Sequence, residues 1–484
     1  MKRNALYILS SKRNALYILS SIVLLVSLSS CGIYGSYKRP EEVTVERLFR
    51  SPDSPIDTLA SAEGSIAQIS WRDFFTDPYL TNLIEQALER NIDIRVAQLG
   101  LEQSRAALLS AKLGFLPGIS AAPSGQYTHN TEQWTYNLPI TASWEVDLFG
   151  KIRNSYRQQY HQTKMVEAQA QLVQTNIIAA VANSYYTLQM LDRQLEIAEE
   201  TIEMWQENLR VLRILKNTGN ITEAAIAQAE AQTFALLDMQ VDLLKQQRSV
   251  ENALSVLIGV PPRQIERGRL TEQLPPEPIE VGLPVDLLSN RPDVRMAEER
   301  LAMAYYGANR ARSDFLPSVK LTATGAWTNA LGQVIVDPFT FIGNAVGSLF
   351  QPIFNNGRNV AQLRIAKAQQ EQATVEFQKT LLNAGVEVSD QLYSYKSYAT
   401  KIVNRAQQLD SLLRAVEVTT QLMKLGTATY LELLTAQQQL LSAQLGYAAD
   451  TFGLIQSQIN LYKALGGGTT EADRQSPENI KSAH

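Results

Sequence analysis

Two periods of apolar residues alternate along this chain, and each occurs twice. Over residues 136–148 apolar and polar side chains alternate, with Tyr136, Leu138, Ile140, Ala142, Trp144, Val146 and Leu148 on one face and Asn137, Thr141, Ser143, Glu145 and Asp147 on the other. A period of two predicts a strand with one apolar face, and Pro139 is its weak point because proline brings no N–H to a ladder. Residues 318–327 repeat the pattern, and residues 118–127 and 339–350 supply partners with weaker alternation. The second period is the heptad. Residues 151–218 contain no proline or glycine, and one helix of that length would reach roughly 100 Å. Within it Leu188, Leu191, Leu195, Ala198, Ile202, Trp205, Leu209 and Leu212 alternate spacings of three and four, the seam of a coiled coil. A second seam runs through Val388, Leu392, Tyr395, Ala399, Ile402, Ala406, Leu409, Leu413, Val416, Thr420 and Met423, and a third from Leu431 through Leu434, Leu441 and Leu445 to Tyr462. A sustained seven-residue repeat predicts left-handed supercoiling. The seams break at residues 216–222 and 424–429, where Gly219 and Gly426 permit a helix-ending turn. Two antiparallel helical hairpins with glycine tips follow.

The two sets are copies of one another. Asn91-Ile92-Asp93-Ile94-Arg95-Val96-Ala97 is echoed by Arg291-Pro292-Asp293-Val294-Arg295-Met296-Ala297, and Phe115-Leu116-Pro117 by Phe315-Leu316-Pro317. Internal duplication therefore organises the chain. The first repeat covers residues 76–264, with strands near 118–148 and a hairpin near 151–258; the second covers 286–468, with strands near 318–352 and a hairpin near 357–465. Residues 265–285 link them, residues 31–75 form an extended strap, and the polar residues 469–484 form a disordered tail. The fold class is mainly α with transmembrane β.

Segments of ~10–13 residues are long enough for tilted transmembrane strands, and Tyr127, Tyr136, Trp144, Trp327, Phe339 and Phe341 near their ends suit interfacial girdles. Ordinary hairpins packed on helices are the alternative. Four strands cannot close a barrel, and lipid does not tolerate an open edge. An embedded sheet must then be shared between chains: eight strands leave a side-chain-filled interior, whereas twelve leave a lumen.

The N-terminus bears on compartment. Lys12 and Arg13 precede an apolar run over residues 15–28 that ends in Leu28-Ser29-Ser30-Cys31, the layout of an export signal and too short to span a bilayer. Residues 1–30 are read as that signal, and residues 2–11 recur verbatim as 12–21. The tetrapeptide resembles the bacterial lipobox, whose cysteine is acylated; several acyl chains anchor firmly where one does not. Gly32 rather than aspartate follows, which favours the outer membrane. Cys31 is the only cysteine, so no disulfide framework or thiolate cluster is expected. The covalent lipid on it is the only prosthetic group expected. A net charge of −4 with 19% charged residues excludes a basic nucleic-acid binder. Three scattered histidines (His129, His161, His484) and the absence of HExxH, CxxC, Walker and GxSxG motifs leave no basis for enzyme chemistry or a metal site.

Residues 71–78 (Trp-Arg-Asp-Phe-Phe-Thr-Asp-Pro), Leu287-Leu288-Ser289-Asn290-Arg291-Pro292-Asp293-Val294-Arg295 and Asn460-Leu461-Tyr462-Lys463-Ala464-Leu465-Gly466-Gly467-Gly468 resemble the entry, middle and closing motifs of the outer-membrane efflux protein family of the TolC/OprM type, in its lipoprotein branch. The resemblance implies a homotrimer, with a twelve-stranded barrel in the outer membrane and a twelve-helix tunnel in the periplasm. It also implies docking to a periplasmic adaptor and an inner-membrane pump, and no enzymatic activity. Acidic residues after the second glycine turn form the family's periplasmic gate. Glu432 falls on one such position; Thr435 falls where relatives often have aspartate, which makes this gate less acidic. A solvated helix-face charge is the bland account of Glu432. Lys216, Asn217, Gly219, Lys424, Gly426 and Thr427 are candidates for the adaptor-facing tips, with surface-turn chemistry an equal account. Pro292 suits a first helical turn with Asn290 as its cap, and Trp71 suits packing rather than function. The competing readings are a periplasmic adaptor, which would carry one hairpin rather than two, and a structural coiled-coil lipoprotein, which would lack the alternation at residues 136–148. No methionine cluster or other motif points to a particular cargo.

Overall fold

The computed structural model describes residues 34–40, 69–129, 132–217, 221–270, 290–331 and 334–468. In chain order the described elements are α1 (Trp71–Phe74), α2 (Pro78–Arg90), α3 (Ile92–Leu113), β1 (Gly118–Ala121), β2 (Ser124–Thr128), β3 (Gln133–Val146), α4 (Lys151–Asn217), α5 (Glu223–Ile258), α6 (Pro292–Ser313), β4 (Ser318–Leu331), β5 (Val334–Phe350), α7 (Arg358–Lys424) and α8 (Tyr430–Ala464). Repetition is literal at this level. Helices α3 and α6 are both 22 residues long and superpose in sequence with a shift of 200. Helices α4 and α7 are both 67 residues long, with a shift of 207. The chain divides into two compact units, one of Met1–Val43, Gly100–Val166 and Met296–Gln378, the other of Thr44–Leu99, Glu167–Arg295 and Lys379–His484.

The first unit holds the sheet, antiparallel throughout, in the order β1-β3-β4-β5 with β2 also on β3. The sequence predicts one strand over residues 118–127; the structure breaks it at Ala122-Pro123. Ile140 lies opposite Ala121 and Asn137 opposite Ser124, so Pro139 faces the gap. Its carbonyl accepts from Ala122 N at 3.3 Å, but neither proline offers an N–H to the other strand. On the helical side, α6 meets α7 through a small alanine core of Ala308, Ala311 and Ala366. Residues 34–40 lie along α6. Ser313 Oγ donates to Tyr34 Oη, Tyr305 Oη to the Gly35 carbonyl, and Tyr37 N to Tyr306 Oη, at 3.3, 3.2 and 3.1 Å. Arg39 closes the strap on Glu298 with two bonds of 2.9 and 2.7 Å. The rest of residues 1–68 (Cys31 included), most of the linker and the tail past Gly468 lie outside the described residues.

The second unit buries the main core. Trp71, Phe74 and Phe75 belong to a helical turn, not to an extended strap, and are buried. Phe74 stacks on Tyr462 with ring centroids 4.4 Å apart. Asp77 caps α2 by accepting from Tyr79 N and Leu80 N, and its second oxygen accepts from the buried Tyr185 hydroxyl. Ile265 and Leu270 join the same core, and Arg267 bridges Asp192 and Glu251, so the start of the linker is packed. The duplication sets matching contacts at both helix ends. Asn91 Nδ2 donates to the Leu257 carbonyl at 2.9 Å near the end of α5, and Arg291 Nη1 to the Ala464 carbonyl at 2.6 Å at the end of α8. Gly259 (φ +78°) and Gly466 (φ +84°) turn the chain there. A Cβ on either would lie 2.6 Å from the backbone of Arg90 or Asn290, so both conformation and space require glycine. Helix α6 starts at Pro292, so Arg291 rather than Asn290 precedes its first residue.

The first seam lies where its heptads place it, with Leu188, Leu191, Leu195, Ala198, Ile202, Trp205 and Leu212 buried. The second departs from the sequence reading. Ala406 and Leu413 are exposed, and Arg405 and Leu412 turn inward instead; in the third seam Leu431 is exposed. Asp450 on α8 is buried and draws Arg405 in, Nε to Oδ2 at 3.2 Å, with Lys401 Nζ 3.6 Å from its other oxygen. Space comes from two glycines one heptad apart: a Cβ on Gly446 would meet the Arg405 guanidinium at 2.9 Å, and one on Gly453 the Tyr398 ring at 2.4 Å. A hydrophobic count misses this because the determinants are a charge and two absent side chains.

Candidate functional site: a two-faced sheet and two hairpin tips

Register sorts the sheet into two faces. Opposite Leu138, Ile140, Ala142, Trp144 and Val146 of β3 stand Trp327, Gly325, Ala323, Leu321 and Val319 of β4. Beyond these lie Phe341, Gly343, Ala345, Gly347 and Leu349 of β5. Leu138, Ile140, Trp144, Leu321, Trp327, Phe341 and Leu349 are exposed, from 39% to 71%. Asn137, Thr141, Ser143 and Glu145 pair with Thr328, Thr324, Thr322 and Lys320 on the other face. There Thr141 Oγ1 and Thr324 Oγ1 share a hydrogen bond of 3.1 Å. Both outer edges, β5 on one side and β1 with β2 on the other, carry no further strand among the described residues. Water would penalise so much exposed apolar surface, and lipid would accept it. Aromatic rings gather near the strand ends: Tyr127 and Trp134 at 5.3 Å between centroids, and Trp327 and Phe341 at 5.3 Å. Trp144 anchors the other end, its Nε1 donating to the Phe115 carbonyl at 2.9 Å. The side chain of Phe339 is outside the described residues.

The tip of the second hairpin is built by its caps. Helix α7 ends at Lys424. Gly426 is left-handed (φ +76°), Gly426 N donates to the Met423 carbonyl at 3.0 Å, and Thr427 N to the Leu422 carbonyl at 2.9 Å. This is a Schellman turn, and Thr427 Oγ1 adds a bond to the Leu422 carbonyl at 3.0 Å. Thr429 then caps α8: its hydroxyl accepts from Glu432 N, and Glu432 Oε2 accepts from Thr429 N at 2.8 Å. Glu432 thus completes a capping box. The Thr435 hydroxyl is occupied by its own helix, donating to the Leu431 carbonyl at 2.8 Å. At the first tip Lys216 is ion-paired with Glu223, Asn217 ends α4, and Thr222 caps α5. Gly219 is outside the described residues. Ala225 stands where the second hairpin has Glu432, so only one tip has the box.

Sequence reasoning placed Leu434 on a seam but missed Tyr430 and Leu425 at this end. Tyr430 and Leu434 are buried against Leu212, Ile226 and Ala229 of the first hairpin, and burial pushes the Tyr430 phenol pKa up. Leu425 and Leu431 are exposed at 76% and 55%. Leu431 opens the third predicted seam yet faces outward, whereas Leu425 lies on no seam, so no periodicity marks it. Among the described residues no helix is long and apolar enough to cross a membrane, and no cluster of His, Cys, Asp and Glu could hold a metal ion.

An antiparallel sheet with an exposed apolar face, in one chain with duplicated coiled-coil hairpins, defines a channel protein of the outer-membrane type. The chain belongs to the outer membrane efflux protein family, whose model matches residues 83–260 and 283–467. It is 30% identical over 476 residues to the toluene efflux pump outer membrane protein TtgC of Pseudomonas putida, covering 93% of this chain and 95% of that one. It is 29% identical to the cation efflux system protein CusC of Escherichia coli over 458 residues, 92% and 97% of the two chains. Among solved structures, the open state of the Neisseria gonorrhoeae MtrE outer membrane channel matches with a TM-score of 0.79 at 25% identity, over 91% of this chain and 99% of that one. The chain is an outer-membrane channel of an efflux system, the duct through which exported compounds leave the cell.

Proposed function

We propose that three copies of this chain form the duct, each giving one third of the wall of a shared barrel in the outer membrane and two helical hairpins to a periplasmic tunnel. The observation that carries this reading is the two-faced sheet with both edges unpaired: lipid requires closure, and twelve strands are the smaller multiple that leaves a lumen. The Thr- and Asn-rich face then lines the water path. Energy comes from an inner-membrane pump, joined through a periplasmic adaptor. Lys216, Asn217, Gly219, Lys424, Gly426 and Thr427, together with Leu425 and Leu431, form the adaptor-facing end. A carboxylate ring from three copies of Glu432 narrows and charges the periplasmic mouth, favouring cations as such rings do; Thr435 adds no charge one turn on.

A lipid on Cys31 anchors the strap. Gly150 and Ser313 hold Tyr34, the first described residue of that strap, at the strand-to-helix junction. No other prosthetic group, catalytic residue or nucleic-acid partner enters this function. Relatives named for toluene and for cations share the shape, so cargo choice rests with the pump. Sizing after detergent extraction tests the proposal. A heat-modifiable trimer with barrel-type β signal is expected, and a monomer without one would sink it.

A further inference from the structure

One row across the channel-lining face of the sheet is apolar from edge to edge. Pro139, Ala326 and Ile342 pair in succession across β3, β4 and β5. Ala122, whose N–H donates to the Pro139 carbonyl, carries the row to the opposite edge. The rows on either side are polar, with Ser124, Asn137 and Thr328 in one and Ser120, Thr141, Thr324 and Asn344 in the other. Along β5 the apolar positions continue. Ile342, Val346 and Phe350 are 38%, 56% and 66% exposed, and Asn344 and Ser348 stand between them. Among the described residues β5 alone carries large apolar side chains on both faces, which is why its alternation in the sequence is weak. No described segment covers them. Residues 129–132 join β2 to β3, and residues 332 and 333 join β4 to β5, too few to fold back over a face. A strand added at either edge extends the sheet in its own plane and leaves its faces open. The face is concave, and a cavity of about 670 Å³ lies over it, lined by Gln126, Thr135, Asn137, Thr324, Thr328 and Ile342 among others. That volume is within the range of ligand sites.

We propose that Ile342, Val346 and Phe350 are contact points for the apolar part of exported compounds, a track inside the barrel that ends at the apolar row. Its direction follows from the chain: Phe350 closes β5 shortly before α7 begins at Arg358, so the track starts at the helical end of the barrel. The occupant is a small amphiphile, an aromatic or aliphatic group joined to a polar or charged one. Its apolar group removes these side chains from water, where their exposure is unfavourable. Its polar group meets the hydroxyls and amides alongside, Thr322, Thr324, Asn344 and Ser348. A macromolecule is a poorer fit, because each contact is one side chain wide and polar residues separate it from the next. Positions four residues apart on a strand are about 13 Å apart. Conduction needs contacts strong enough to enter and weak enough to leave, spread over several sites, and single side chains at that spacing meet this need.

The inference rests on the duct proposed above, with this face turned to its lumen, and photolabelling tests the two separately. The full chain in liposomes is irradiated with a water-soluble benzophenone bearing a trimethylammonium group, and the labelled residues are mapped by mass spectrometry. Label is expected on Ile342, Val346 and Phe350. An excess of benzyltrimethylammonium should suppress it, and the same excess of tetramethylammonium should not, since the two differ only by an aromatic ring on one methyl group. The Ile342→Thr, Val346→Thr double variant keeps β-branched side chains on the strand and should lose the label at both positions with its heat-modifiable oligomer intact. If that variant does not assemble, the competition in the unaltered chain decides. Label absent from β5, label spread evenly over the hydroxyl rows, or equal protection by both cations would overturn the track and leave the duct standing. A benzophenone fatty acid dissolved in the bilayer should label Phe341 and Leu349. If it labels Ile342 and Val346 instead, this face meets lipid, and both the track and the duct reading are wrong.

Discussion

Glu432 carries two roles that one substitution would confuse. Its carboxylate accepts from Thr429 N as part of the cap of α8, and removing a capping interaction costs about 1 kcal/mol. Replacing it with serine removes cap and charge together. Glutamine can still accept from the Thr429 N–H and removes only the charge. Glu432→Gln is therefore expected to keep the melting temperature while weakening cation preference and raising conductance of reconstituted channels. If glutamine leaves conductance and selectivity unchanged, Glu432 is a cap and no gate. The acid after the glycine turn was legible in the sequence. Its bond to Thr429 was not, because a capping box and a solvated charge share the same spelling until the backbone angle at Thr429 is known.

Among the elements, the two hairpins solve one packing problem in opposite ways. Ala198 and Met239 occupy in the first hairpin the repeat positions of Arg405 and Gly446 in the second, and Leu243 that of Asp450. Large meets small in both, with the sizes exchanged across the seam. Arg405→Ala should leave the buried Asp450 carboxylate with only Lys401 at 3.6 Å, at a cost of about 3 kcal/mol. Adding Gly446→Met and Asp450→Leu copies the first hairpin and should recover most of that loss, since apolar replacement of a buried ion pair is often neutral or better. Thermal dissociation of the oligomer measures both. A triple variant no more stable than Arg405→Ala would show that the polar seam is specific to the second hairpin. Heptad counting found seven of the eight residues of the first seam buried, but missed by one residue at Ala406 and Leu413 of the second, where the Asp450 carboxylate draws Arg405 inward.

At the scale of the whole molecule, buried phenols tie stability to alkaline pH. Burial first, then the neighbouring Asp77 charge, raises the Tyr186 pKa above its ordinary 10.0. Tyr185 moves the same way, through burial and its bond to Asp77, and Tyr430 through burial alone. A phenol whose folded pKa is raised stabilises fully below its unfolded pKa and loses that contribution as pH climbs past it. Melting temperature should therefore be level from neutral pH to about 9 and fall above about 10. Tyr186→Phe should reduce the slope of that fall; an unchanged slope would remove Tyr186 from the account.

Local chemistry in the sequence was enough for the elements: alternation gave the strand faces, heptads the first seam, and glycine, proline and threonine the turns and caps. Duplication and the closing motifs gave the family. Tertiary structure decided what local pattern cannot carry. It broke the first strand at Ala122-Pro123, the gap that Pro139 faces, and moved Arg405 inward to Asp450. Each of these depends on a partner distant in sequence. A side chain's periodicity states which way it points from its own backbone, and only the fold states what it meets there.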